Sequence, residues 1–284
     1  MFVCCHYANK STQRGHQRDN LGHMSYKSLC VLLALLTGMV AHAAKGPPLR
    51  LCYEDVDQRP WSTPGGTGLN FELLKRVELL LNEQFTYAPK PWKRCLSELK
   101  LGQVDAVIGA ADAVNRRAWS RIPQLPDGSE DPSRAMFEDA ALVFLRVGGN
   151  ASWDGHELLA PGKAVVVQSG YLVAQQLRDK GYEPHENVKS AADALRMLAA
   201  GGFDVAILQG LEASKLAQED ARFKGRVQQA VQPFSTVNLH LMVARGAYQR
   251  DPQRIEAIWQ AIGTVRQSRD YRQLEEAAGV KHFH

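Results

Sequence analysis

Residues 96–109 read LSELKLGQVDAVIG, and residues 195–208 read LRMLAAGGFDVAIL. In each, a stretch with apolar residues at helical spacing runs into a glycine, then an aspartate, then an unbroken apolar run. A glycine just past a periodic segment is a helix stop, and a short apolar run behind it is a strand buried on both faces. The same helix–glycine–strand phrase written twice in one chain predicts two similar α/β halves. Outward from the first copy, Leu49–Tyr53 is a short strand followed by the acidic turn Glu54–Asp57, and Pro64–Gly68 is a loop. The apolar positions Phe71, Leu73, Leu74, Val77, Leu80 and Leu81 predict an amphipathic helix over 69–83. Phe85–Tyr87 is strand-like, and Pro89 and Pro91 should end it. A helix over Leu96–Leu101 and a strand over Val104–Ile108 complete a β-α-β-α-β order, which predicts a parallel sheet covered on both faces.

Beyond that copy, Asn115–Ser120 should be helical, 121–134 is a loop rich in Pro and Asp, and Ala140–Val147 is a strand. The second set follows as strand Ala164–Val167, helix Leu172–Asp179, helix Ala191–Ala200 and strand Val205–Leu208. An alternating strand within Phe234–Ala244 and helices over 252–267 and 270–278 close the chain. Two such halves place a ligand in the crevice outside the carboxyl ends of their strands.

Composition narrows the class. A chain of 284 residues with 45% hydrophobic and 23% charged residues is globular, neither collagen-like nor a polytopic membrane protein. Of the net charge of +4, residues 1–43 carry +3, since Lys10, Arg14, Arg18 and Lys27 face only Asp19. No basic stripe survives in the rest, which argues against a nucleic-acid partner. Leu29–Ala41 is an uncharged run behind Lys27, followed by Ala41-His42-Ala43. That is the pattern of a cleaved signal peptide. A membrane anchor needs about 20 apolar residues. Cleavage near Ala43 is expected, with residues 1–23 an upstream extension before Met24 and the product soluble and periplasmic. Of five cysteines, Cys52 and Cys95 then remain. An exported protein favours a disulfide between them; two buried thiols are the other reading.

The chain contains no G-x-S-x-G, H-E-x-x-H, P-loop or G-x-G-x-x-G motif. His156 and His185 sit in polar loops without partner spacing. Neither a metal nor a cofactor is expected, and the chain reads as a binder rather than an enzyme.

Pro60-Trp61, the GLNFELL run at 68–74, Leu99–Gly109, Gly162–Gly170, Leu198–Leu208 and His240–Gly246, taken in order, resemble the extracellular solute-binding proteins of family 3, the periplasmic receptors of polar amino-acid ABC transporters. PWKRCL at 91–96 and DPSR at 131–134 resemble a proteobacterial subgroup of it. The resemblance implies a two-lobe, type II periplasmic-binding α/β fold, each lobe a mainly parallel sheet flanked by helices. One lobe would comprise 44–145 and the return strand and helices at 236–284, the other 146–235. It also implies a monomer that captures a small polar solute by hinge closure and delivers it to an inner-membrane permease. A dehydratase-like enzyme and a sensing module for a membrane sensor are the alternatives on this scaffold.

In such receptors an arginine after the third strand clamps the ligand carboxylate, here Arg116 or its neighbour Arg117, with Arg116 favoured by spacing. A guanidinium can make two parallel charge-assisted hydrogen bonds to it. Two positions depart from the family pattern. Ala110, Ala111, Asp112 and Ala113 stand where hydroxyl residues are usual, and Asp112 would repel a carboxylate or occupy the arginine. Gln209 stands where an acid should hold the ligand ammonium. Gln168, Ser169, Gly170 and Tyr171 form a strand-to-helix junction suited to an anion. Glu54, Trp61, Trp92 and Arg94 are the other candidates at the crevice edge, and His240 is expected in the hinge strand rather than at the ligand.

Overall fold

The computed structural model describes residues 46–280. The expected signal peptide, its expected cut near Ala43 and the expected upstream extension fall outside the described residues. The first lobe opens with β1 (Leu49–Glu54), α1 (Leu69–Leu81), β2 (Phe85–Lys90), α2 (Trp92–Lys100) and β3 (Ala106–Ala111). β1 pairs in parallel with both β2 and β3. α1 forms because Leu69, Leu73, Leu74 and Val77 make one buried stripe, and it ends at Asn82 in the left-handed region.

Three expectations need correction. Pro89 does not end β2 but lies within it, opposite Tyr53; β2 is an edge strand, where a missing N–H is tolerated. α2 begins at Trp92, directly behind Pro91, four residues earlier than its apolar pattern indicates. Residues 115–120 are not a helix: a single 3-10 turn at Val114–Arg116 leads to the two-residue strand β4 (Ser120–Arg121). The Ser120 hydroxyl donates to the Arg116 carbonyl at 2.8 Å, a side-chain bond that competes with a continuing helix.

The second lobe carries the short hairpin β6 (Ser152–Trp153) and β7 (Leu158–Leu159), then β8 (Ala164–Gln168), α3 (Leu172–Asp179), β9 (Glu183–Val188), α4 (Ala191–Ala199), β10 (Val205–Gln209), α5 (Leu211–Glu219) and β11 (Val227–Gln229). Sequence periodicity missed β9 and α5. Two ten-residue strands connect the lobes, β5 (Phe137–Arg146) and β12 (Ser235–Ala244). They pair with each other over Phe137–Ala141 and Ser235–Leu239. Past that overlap β12 runs antiparallel between β3 and β4, while β5 runs antiparallel between β10 and β11. The strand orders β2-β1-β3-β12-β4 and β9-β8-β10-β5-β11 are therefore one arrangement used twice. The repeated phrase supplies α2 and β3 in one lobe, α4 and β10 in the other.

The last helices, α6 (Arg245–Arg250), α7 (Pro252–Gln267) and α8 (Arg269–Ala277), return to the first lobe. α7 packs on α1. The fully buried Trp259 donates its indole N–H to the Leu241 carbonyl at 2.8 Å, and the Tyr271 hydroxyl donates to the Leu69 carbonyl at 3.1 Å. Cys52 of β1 and Cys95 of α2 form a disulfide, Cα atoms 5.5 Å apart. Among the described residues no helix is long and apolar enough to cross a membrane.

Candidate functional site

The carboxyl ends of β1 and β3 face the start of α3 and the end of β10. A cavity of about 20 Å³ lies between them, room for about one water. Tyr53, Glu54, Gln58, Asn70, Trp92 and Arg116 line it from the first lobe, Tyr171, Leu172 and Gln209 from the second, and Phe137 and Leu239 from the connecting strands. The lobes touch here. Gly170 adopts φ +83°, and a Cβ there would come within 3.0 Å of Lys93 Cγ and 3.3 Å of Trp92 Cδ1. A side chain at this left-handed position would strain the backbone and press on Lys93 and Trp92.

Polar contacts cross the same gap. Arg116 is buried; its Nη1 donates to the Ala111 carbonyl at 3.2 Å within the first lobe, and its Nη2 to the Gly170 carbonyl at 2.9 Å in the second. Burial lowers its pKa to about 10, still a cation at neutral pH. The Tyr171 hydroxyl donates to Glu54 Oε2 at 2.5 Å, and Gln58 Nε2 donates to both. Gln168 stands behind Tyr171, its Oε1 accepting the Gln209 N–H at 3.1 Å. Burial raises the Glu54 carboxyl from 4.5 to about 8, against the opposing effect of the Tyr171 bond.

The structure sorts the sequence candidates. It brings Glu54, Trp92, Arg116, Tyr171 and Gln209 to the cavity, with Gly170 joined to Arg116 through its carbonyl and Gln168 behind Tyr171. Asp112 is not there: its carboxylate grips Arg117, and Arg116 has no carboxylate partner among the described residues. Trp61 is a core residue, stacked on Phe137 with ring centroids 4.1 Å apart. Arg94 faces outward with its side chain 67% exposed and pairs with Glu98 at 2.7 Å; the early start of α2 turns it away. Ser169 gives its N–H to the Val188 carbonyl. The junction is an anion seat already taken, because the Gly170 N–H donates to Glu186 at 3.2 Å. His240 lies fully buried in β12 beside Glu130, away from the cavity.

Gln58 and Asn70, both at the cavity, went unread in the sequence. Asn70 carried a signal: it stands three and four residues before Leu73 and Leu74, a polar residue on the buried stripe of α1. Its Oδ1 is buried without a hydrogen-bond partner among the described residues.

No protein-family model and no curated protein matches the sequence. Solved structures do match. A histidine kinase sensor domain with similarity to periplasmic binding proteins aligns at TM-score 0.65 and 18% identity, over 81% of this chain and 95% of that one. An ancestral arginine-binding protein bound to arginine aligns at TM-score 0.62 and 17% identity, over 82% and 99%. The substrate binding protein of an amino acid ABC transporter aligns at TM-score 0.60 and 14% identity, over 81% and 98%. The chain has the two-lobe fold of periplasmic binding proteins.

Proposed function

We propose that this chain is an exported receptor of the family-3 type that captures a small polar solute between its lobes, residues 44–145 with 236–284 and residues 146–235, and presents the closed form to an ABC transporter in the inner membrane. The observation that carries this reading is Arg116. It is a buried cation bonded only to carbonyls, one in each lobe, at a cavity where the lobes meet. A carboxylate offered to it gains two charge-assisted bonds and ties the lobes together. Closure then follows from differential binding of open and closed forms, which is what such a receptor needs. The structural likeness to binding proteins of amino-acid transporters supports the solute class.

The test is calorimetry on the purified protein with amino acids, amines, organic acids and sugars. Arg116→Ala should weaken the best solute by about 3 kcal/mol, roughly 100-fold, while the protein stays folded. Unchanged affinity would remove Arg116 from the site. The likeness to a kinase sensor domain favours a second reading, a ligand-sensing module for a separate membrane sensor; a transporter deletion that leaves the physiological response to the solute intact would select it. Turnover of the bound solute would transfer the protein to the enzymes, with Glu54 and Tyr171 as its acid–base pair.

A further inference from the structure

Several buried acids of this protein have a cation beside them. Glu83 is paired with Arg254, Glu98 with Lys90 and Arg94, Asp105 with Arg50 and Arg250, and Asp131 with Arg134. Glu54 and Asp139, 7% and 6% exposed, form no ion pair among the described residues. Asp139 accepts the Ala140 N–H at 2.8 Å and the Gln209 side chain. Since β5 pairs with β10, those partners travel with it. Glu54 is covered differently. It ends β1 in the first lobe, and the Tyr171 hydroxyl that bonds it at 2.5 Å belongs to the second. Its other donor, Gln58, bonds Tyr171 as well. Glu54, Tyr171 and Leu172 line one cavity, so parting the lobes takes the phenol away and admits water to the carboxyl.

The charged groups around Glu54 do not neutralise it. Lys90 sits opposite in the β1–β2 register and is bonded to Glu98. Arg116, on the same cavity, gives its N–H groups to the Ala111 and Gly170 carbonyls. Lys189, in the turn before α4, acts on Glu54 through space, and the adjacent Asp55 opposes it. Asp139 adds a negative field at Tyr171. A buried carboxylate without a cation is costly, whereas the neutral acid is tolerated. A carboxyl that is buried when the lobes meet therefore holds a proton more tightly in the closed form than in the open one. Both donors reach Oε2, which leaves Oε1 to carry that proton.

Resting on the receptor reading, we propose that capture of the solute is coupled to uptake of a proton, with Glu54 as the proton site: neutral when the lobes shut over the solute, charged when they part. The carboxyl then belongs to the lobe contact rather than to the solute. One open receptor, one solute and one proton give one closed complex, so acid favours capture and alkali favours release. The coupling is reciprocal, and bound solute raises the affinity of Glu54 for its proton. In the closed form burial raises this carboxyl from 4.5 to about 8, which puts the exchange in the neutral range.

Calorimetry on the full protein with arginine, ornithine, putrescine, glutamine, glutamate and glucose tests this. Titrating the best-bound of the six in two buffers of different ionisation enthalpy counts the protons that enter with it. About one proton per solute should be taken up near pH 6, and affinity should rise about tenfold or more from pH 8 to pH 6. Glu54→Gln has the shape of the neutral acid, keeps an acceptor for Tyr171 and cannot take a proton. It should bind the same solute about tenfold or more tightly than the natural protein at pH 8, with a flat profile down to pH 6. Asp139→Asn should keep the proton uptake. A carboxylate that held a cationic group of the solute would behave oppositely, since Glu54→Gln would then bind more weakly at both pH values. That weakening, a flat profile in the natural protein, or uptake that disappears in Asp139→Asn overturns this inference and leaves the receptor standing. No binding by any of the six in protein first unfolded and refolded overturns the receptor reading. Small-angle scattering of the ligand-free protein then decides on Glu54: a smaller radius of gyration at pH 6 than at pH 8 supports proton-linked closure, and equal radii overturn it.

Discussion

The two lobes share one strand order and differ in how they are held. The first is cross-braced in its interior: the Cys52–Cys95 disulfide ties β1 to α2, Asp105 collects Arg50 and Arg250, and Glu83 holds Arg254 of α7. Ion pairs in the second lobe lie farther out, at Arg146–Asp204, Arg178–Glu186 and Arg222–Asp220. Contributions to the cavity divide the same way. The Arg116 cation and the Glu54 carboxyl come from the braced lobe, whereas the facing lobe offers a carbonyl, a phenol and amides. Charges gain most when their positions are fixed before the ligand arrives, and neutral groups can be brought up by closure without stranding a charge. The comparison teaches that rigidity and charge were placed together.

The largest test of this contrast is the disulfide. Its cysteines are 43 residues apart, a loop for which removing the cross-link costs about 4 kcal/mol in the chain-entropy description. Cys52→Ala with Cys95→Ala should lower stability to urea by about that amount and weaken solute affinity as well, because Glu54 and Trp92 flank the staple. Undiminished affinity in the destabilised protein would break the link between bracing and binding.

A smaller effect is expected at the lobe contact. Tyr171→Phe removes the hydroxyl bound to Glu54 and should cost about 1–3 kcal/mol of the closed form, seen by small-angle scattering as a larger radius of gyration. The pH dependence follows from the same groups. Glu54 is raised from 4.5 to about 8 and Asp139 from 3.8 to about 7, so the folded protein binds more protons than the unfolded chain across that range. Stability is then fully present below about pH 4 and drains as pH rises to about 8. The thermal midpoint of ligand-free protein should rise on going from pH 8 to pH 5, and Glu54→Gln should flatten that rise. A midpoint that climbs with pH over this window contradicts the burial of both acids.

The smallest change lies far from the contact. Ser190 caps α4, its hydroxyl accepting the Asp193 N–H at 3.1 Å. Ser190→Ala should cost about 1 kcal/mol in chemical denaturation and leave affinity within about twofold. A larger loss of affinity would mean that the second lobe is as tightly coupled to the site as the first.

How much of this could be read from the chain depends on the range of the cause. α3 over 172–179 and α7 over 252–267 match their sequence periodicity to the residue, because local spacing and an N-terminal Pro252 determine them. The start of α2 was misplaced since Trp92 begins the helix behind Pro91 before any apolar period is established, and that error carried Arg94 into the site. Arg116, which the family resemblance implies, lines the cavity. Gln58 was not legible, because its side chain gains Tyr171 as a partner only when the lobes meet. Local patterns name elements, and contacts between residues distant in sequence assemble the cavity.

The overlap of β5 and β12 has a consequence for engineering. Ala141 and Ser235 are paired neighbours, so both ends of the intervening segment stand one strand spacing apart, about 5 Å. That segment can be treated as a cassette with two adjacent splice points. Exchanging it for the corresponding piece of another protein of this fold would replace Gly170, Tyr171 and Gln209 in one step and keep Glu54 and Arg116. Chimeras cut at 141 and 235 would thus carry a new half-site against an old one, a direct route to solute sensors of altered selectivity.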